Sequence, residues 1–215
     1  MVILGGVLFY TYGKKALWRD PAFLAVLSAF VMAAGYFLFL QATQMGGLQA
    51  AQKVYLTGKI LAPACLLMTY MSLLKTMPEK KRERYQILLW IVVISQNLFL
   101  WSDTLQRLVF TDRSFQQNQY FYFIEEKMTG IGYAGMIWNF CLLICCAVIA
   151  CRRCSRLYSK ILLTAVPVLP VLAEIVSMTS QARHYDFSTL AGTAAALFLI
   201  IALGDWEEQK PGESL

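Results

Sequence analysis

RYQILLWIVVISQNLFLW, residues 84–101, is apolar almost from end to end and carries no charge after Arg84. A helix that crosses a bilayer needs roughly 20 mainly apolar residues to cover about 30 Å of hydrocarbon. This stretch nearly meets that length, and about five more like it recur along the chain, which the same length rule reads as further spans. The repetition fixes the solvent. The chain is read as an all-α, polytopic membrane protein.

The spans expected are residues 2–12, 21–42, 54–74, 85–101, 128–150, 161–179 and 187–203, a bundle of seven transmembrane helices. The first is too short: about 12 residues at 1.5 Å each reach only about 18 Å. It is expected to be the tail of a truncated helix whose start lies before Met1. A short helix lying in the interface is the alternative. One seven-helix unit over residues 1–204 is expected, then a short polar cytoplasmic tail over 205–215. Met1 leads straight into apolar sequence without a basic n-region, so no cleavable signal peptide is expected.

Of the 215 residues, 58% are hydrophobic and only 15% are charged, against about 25% charged in a soluble domain. The formal charge of +6 does not point to nucleic acid, because the basic residues sit in short loops between apolar runs. There they set topology. One set of loops holds Lys14, Lys15 and Arg19; then Lys75, Lys80, Lys81, Arg82 and Arg84; then Arg152, Arg153, Arg156 and Lys160. The other holds Lys53, Lys59, Arg107, Arg113, Lys127 and Arg183, spread over longer sequence. The denser set belongs in the cytoplasm, which puts the N-terminus outside and the C-terminus inside.

No enzyme motif is present, and no cofactor is implied. His184 is the only histidine. Cys151-Arg152-Arg153-Cys154 has the spacing of half a zinc site, but a structural zinc needs four ligands, so no metal is expected. Most of the six cysteines fall inside expected helices, where Cys acts as a small hydrophobe. No disulfide framework follows. A retinal protein would carry a Schiff-base lysine in its last helix, and residues 187–203 have none. The end of the third span lacks an acidic-Arg-aromatic triplet and the last span lacks an Asn-Pro pair, which argues against a G-protein-coupled receptor.

Polar residues inside the spans are more telling. A charge in hydrocarbon costs at least roughly 2.5–3.5 kcal/mol, so it faces the bundle interior and finds a partner. Lys59 and Glu174 each lie about six residues inside the outer end of a span, about 9 Å deep at 1.5 Å per residue. Equal depth and opposite charge make them a pair. Asn97 reaches a similar level, and Tyr36 and Trp138 fall in the same half of the bundle. Polar groups in an aromatic surround suit a small-ligand pocket. The plainer alternative is that Lys59 snorkels outward and Glu174 is hydrogen-bonded between helices. Pro63, Pro167 and Pro170 each remove a helical hydrogen bond. The longest connection, residues 102–127, carries Phe115 and the run Tyr120-Phe121-Tyr122-Phe123. It reads as an interfacial aromatic belt or as a lid over an outward-facing pocket.

The order of several motifs resembles the N-terminal seven-transmembrane region of bacterial histidine kinases. Tyr55-Leu56-Thr57-Gly58 followed by Pro63 is similar to its third-helix signature. Ser95-Gln96-Asn97-Leu98-Phe99-Leu100-Trp101 is similar to the end of its fourth helix. Pro170-Val171-Leu172-Ala173-Glu174 resembles its sixth-helix segment, with Glu174 where the family usually has Asn. Asp186-Phe187-Ser188-Thr189-Leu190 resembles the start of its last helix. The resemblance implies a membrane-embedded sensory input module that binds an unknown small-molecule ligand and passes a helix rearrangement to a cytoplasmic output. In the family a kinase or cyclase domain follows. None follows here, so catalysis does not carry over; the chain is expected to be an excised sensor domain, a gene fragment, or a stand-alone receptor that signals through a separate partner. A homodimer is compatible with this reading. The candidate ligand set is Tyr36, Tyr55, Lys59, Asn97, Trp101, Trp138 and Glu174. The rival readings are a small transporter or permease subunit using Lys59 and Glu174 as a coupling pair, and a membrane scaffold without a ligand.

Overall fold

A computed structural model describes residues 20–74, 76–117, 122–154, 156–179 and 187–208. Six long helices cross the molecule: α1 (Pro21–Gln41), α2 (Met45–Leu73), α3 (Glu79–Trp101), α5 (Gly130–Arg153), α6 (Leu157–Thr179) and α7 (Phe187–Glu208). Between α3 and α5 lie a short helix, α4 (Asp103–Val109), and an antiparallel hairpin of β1 (Phe110–Gln117) and β2 (Tyr122–Met128). Five of the helices are long and apolar enough to span a bilayer alone. Helix α3 meets that test only together with α4, from which it is bent by 104°. The first expected span, residues 2–12, lies outside the described residues.

Local chemistry sets the ends. Asp20 caps α1 by accepting from the Ala22 amide at 2.9 Å, and Pro21 takes the first helical position. An N-terminal proline loses nothing there, because that amide has no intrahelical partner. Ser102 ends α3 and caps α4, accepting from the Leu105 amide at 3.5 Å. One residue thus serves both helices, and the chain turns sharply at it. Thr129 caps α5 from Gly132, while its own amide donates to the Val109 carbonyl at 2.9 Å, tying the hairpin base to α4. Helix α2 starts well before the expected residue 54, because Gln44–Lys53 contains good helix formers and finds polar partners beyond the apolar zone. Gln52 donates to Glu126 at 3.0 Å, and Lys53 pairs with Asp103 at 2.7 Å.

Helix α2 is the central post, packed against α1, α3 and α5. Its two halves differ. Every residue from Pro63 to Met71 is buried, whereas the half toward Gln41 alternates between buried and half-buried positions. The main core gathers around that buried stretch and draws Leu89 and Val93 from α3, Cys146 and Ala150 from α5, and Leu163 and Val166 from α6. This end carries the dense basic loops and is called the basic half below. The other end is the hairpin half. Cys154 seals the core just beyond α5, and burial raises its thiol above the usual range. Outward faces are apolar too: Ile87, Leu88, Ile91 and Ile94 of α3 and Ile137 and Ile144 of α5 are exposed. In water such a surface would drive aggregation; against lipid it is the expected solvent face.

The α1–α2 crossing depends on two glycines. A Cβ on Gly58 would lie 2.6 Å from the Ser28 carbonyl oxygen and 2.8 Å from the Met32 Cα, and one on Gly35 would strike the Tyr55 backbone. Small residues let membrane helices approach closely, so dispersion contacts replace the missing hydrophobic drive.

In the basic half, α2 and α6 are joined by one buried bond. Pro167 has no N–H to offer the Leu163 carbonyl four residues before it. The hydroxyl of Tyr70, fully buried on α2, donates to that carbonyl instead. A proline defect on one helix is therefore repaired by a tyrosine on another. Tyr70→Phe should destabilise the fold by about 1–3 kcal/mol, the cost of a buried acceptor left without a donor. The transition in a detergent-resolved unfolding titration measures it, and an unchanged midpoint would contradict the repair.

Candidate ligand cavity

The close packing of the basic half does not continue into the hairpin half. Pro63 and Pro170 stand at the changeover. Above them α1, α2, α3, α5, α6 and α7 surround a cavity of about 230 Å³, lined among others by Met32, Leu66, Phe99, Met136, Phe140 and Leu199. Its floor is therefore the top of the main core. Its roof comes from the connection between α3 and α5: Val109, Phe110 and the Phe110 partner Met128 line it too. Gly132 allows α4 to close on α5, since a Cβ there would sit 2.8 Å from the Val109 carbonyl oxygen. Of the two readings of residues 102–127, the part next to the helices covers the cavity. Phe115 and Tyr122 stack at 5.1 Å farther out on the hairpin, and Tyr120 and Phe121 lie outside the described residues.

Lys59 and Glu174 meet across this space. The Lys59 amine lies 2.9 Å from Oε1 and 2.8 Å from Oε2 of Glu174, so it straddles the carboxylate. The two side chains are 31% and 16% exposed, and both line the cavity. The matched-depth argument placed them at one level, and the fold also turns them toward each other. The same amine lies 5.7 Å from the centre of the Tyr55 ring. Tyr55 bonds Ser188 of α7 at 2.9 Å and packs on Tyr36 of α1 with ring centres 5.9 Å apart. Four helices are thereby linked through one polar and aromatic chain: Tyr36, Tyr55 and Lys59, Glu174, Ser188.

Of the seven candidates only Lys59 and Glu174 line the cavity; Tyr36 and Tyr55 stand behind Lys59, and the other three lie elsewhere. Asn97 does not line the cavity; its amide nitrogen donates to the Val93 carbonyl of its own helix at 2.9 Å. Trp138 is 39% exposed on the outer face of α5 and lines nothing. Trp101 does not line the cavity either; it is half exposed, donating to Thr57 at 2.9 Å with Lys53 6.0 Å from its ring centre. The first two departures share a cause. Depth along a helix says nothing about face, and one residue turns the direction by about 100° at 3.6 residues per turn. The residues next in sequence, Gln96 and Asn139, are the ones that line the cavity. Each has a buried side-chain carbonyl oxygen with no hydrogen-bond partner. Gly135, one turn before Asn139, leaves room for the Gln96 amide, whose nitrogen lies 3.5 Å from where a Cβ would stand. Their signal in the sequence was plain: both are amides inside apolar runs.

A family model described as the N-terminal 7TM region of histidine kinase matches residues 1–205. No individual curated protein matches the chain.

Proposed function

Because the chain belongs to the N-terminal seven-transmembrane region of histidine kinases, a multi-pass membrane region that is sensory rather than catalytic, we propose that the cavity is its sensory input site. One observation carries this: the hollow is confined to one half of the bundle and rests on a close-packed core in the other. A molecule entering it would be bounded by α1, α2, α3, α5, α6 and α7. It shifts the equilibrium between two helix packings only by as much as it binds them differently. Helices α6 and α7 lie side by side along their lengths, and α6 carries both Glu174 in the cavity wall and Pro170 at the changeover. A change at Glu174 thus has a flexible point beneath it and α7 beside it, leading toward a cytoplasmic output.

The proposed orientation sets the hairpin outside and the basic loops in the cytoplasm, following the density of Lys80, Lys81, Arg82, Arg84, Arg152, Arg153, Arg156 and Lys160 at one end. Alkaline phosphatase inserted at residues 116–119 should be active, and the same enzyme fused after Leu203 inactive. The opposite pattern would put the cavity on the cytoplasmic side. The functional test is to fill the cavity from α5 with Gly135→Leu and read the kinase output.

A further inference from the structure

This inference rests on the cavity being the sensory site and asks what chemistry it takes. We infer that the ligand is a neutral amphiphile of about ten heavy atoms: an apolar body with one hydroxyl or carboxamide head, scaled from benzene filling roughly 150 Å³.

Three observations converge. The volume of about 230 Å³ is larger than a single ring needs. The walls are mostly carbon and sulfur, with Met32, Phe99, Met136 and Phe140 among them. The polar groups fall into two kinds. Lys59 and Glu174 already neutralise each other, with both carboxylate oxygens within 2.9 Å of the amine. An anion would have to displace Glu174 from Lys59, and a cation would have to displace Lys59 from Glu174. Either would strand a charge facing apolar walls, which is costly. Gln96 and Asn139 are different: their buried carbonyl oxygens lack partners, and a buried group left so is destabilising. An amide has a donor side and an acceptor side, and a hydroxyl or carboxamide can serve either. The head therefore sits between α3 and α5 at these two amides, and the body fills the space toward Leu66 and Leu199.

The test uses the full chain in phosphatidylcholine nanodiscs with a photoreactive probe, a nine-carbon alkanol carrying a diazirine in its chain. Labelled peptides are mapped by mass spectrometry. Competitors are nonan-1-ol, nonane, nonanoate and nonylammonium, matched in membrane concentration. Resolved to single residues, labels are expected on Leu56, Ile60 and Leu66 of α2 and on Met136, Phe140 and Leu143 of α5, which line the cavity. Nonan-1-ol should displace them about tenfold better than nonanoate or nonylammonium, the value of one good hydrogen bond without a stranded charge. Gln96→Leu with Asn139→Leu should weaken nonan-1-ol by about tenfold for the same reason and leave nonane unchanged. If an ion competes as well as the alcohol, the ligand class is overturned while the site stands. If labels fall only on lipid-facing positions such as Ile137 and Ile144, and no competitor removes them, both the class and the sensory site are overturned. The wild-type competition decides between these outcomes even if the double variant fails to fold.

Discussion

Lys59→Met should destabilise the bundle more than Glu174→Gln, and the double variant should be milder than the two effects added. Breaking a buried ion pair from one side costs about 3–5 kcal/mol when the remaining charge is fully enclosed. Here the enclosure is uneven. Lys59 is 31% exposed and can swing its amine outward on a long stem, whereas Glu174 is 16% exposed on a short one. Losing Glu174 therefore costs about 1–2 kcal/mol, and losing Lys59 about 2–4, below the fully buried limit because neither side chain is fully enclosed. Removing both leaves no stranded charge. The coupling should fall within about 0.5–3 kcal/mol, as it does for residues in contact. Unfolding of the four proteins in mixed micelles by denaturant or heat measures the cycle. Strict additivity would mean that the two side chains do not meet in the membrane.

Gly58→Ala, like Gly35→Ala, should be among the most damaging of the small changes. Its methyl group would lie 2.6 Å from the Ser28 carbonyl oxygen, against backbone that has no rotamer to yield. Helices α1 and α2 must then separate, and overpacking of this kind costs about 1–3 kcal/mol or more. The contact is the most extensive among the described helices, so separation also disturbs the tilted Tyr36–Tyr55 ring contact. Gly46→Ala is the control. Nothing lies within 4 Å of its Cβ position, so the same substitution in the same helix should stabilise by about 0.5–1 kcal/mol. Comparable stability for the two variants would remove the close crossing from the account.

The spans were readable because lipid imposes a length and a composition on every crossing helix. Each of the six long helices overlaps an expected span, whereas α4 falls in the expected connection; the boundaries differ mainly where the helix continues past the apolar zone, as at residues 45–53 of α2. Lys59 and Glu174 were readable for a related reason: a charge in hydrocarbon is costly enough to force a partner, and depth named which one. The faces were not readable. Nearly every side of α3 and α5 is apolar, so no stripe distinguishes Asn97 from Gln96 or Trp138 from Asn139. The hairpin was hidden as well. Its strands begin at Phe110 and Tyr122, inside a connection whose aromatics suit a membrane interface equally well. Nor does sequence reveal that Tyr70 would answer for Pro167, since they are brought together only by the packing of α2 against α6.

The account stands on the claim that the state of the cavity is what the output reads. Autophosphorylation of a histidine kinase core coupled to this region, measured in vesicles for wild type and Gly135→Leu, tests it most directly. The leucine enters beside Gln96, in the hollow and away from the basic-half core. The account predicts about a tenfold change in output, equivalent to about 1.4 kcal/mol between the two packings, with the thermal stability of the bundle retained. An output equal to wild type, in a variant shown to be folded and inserted, would contradict it.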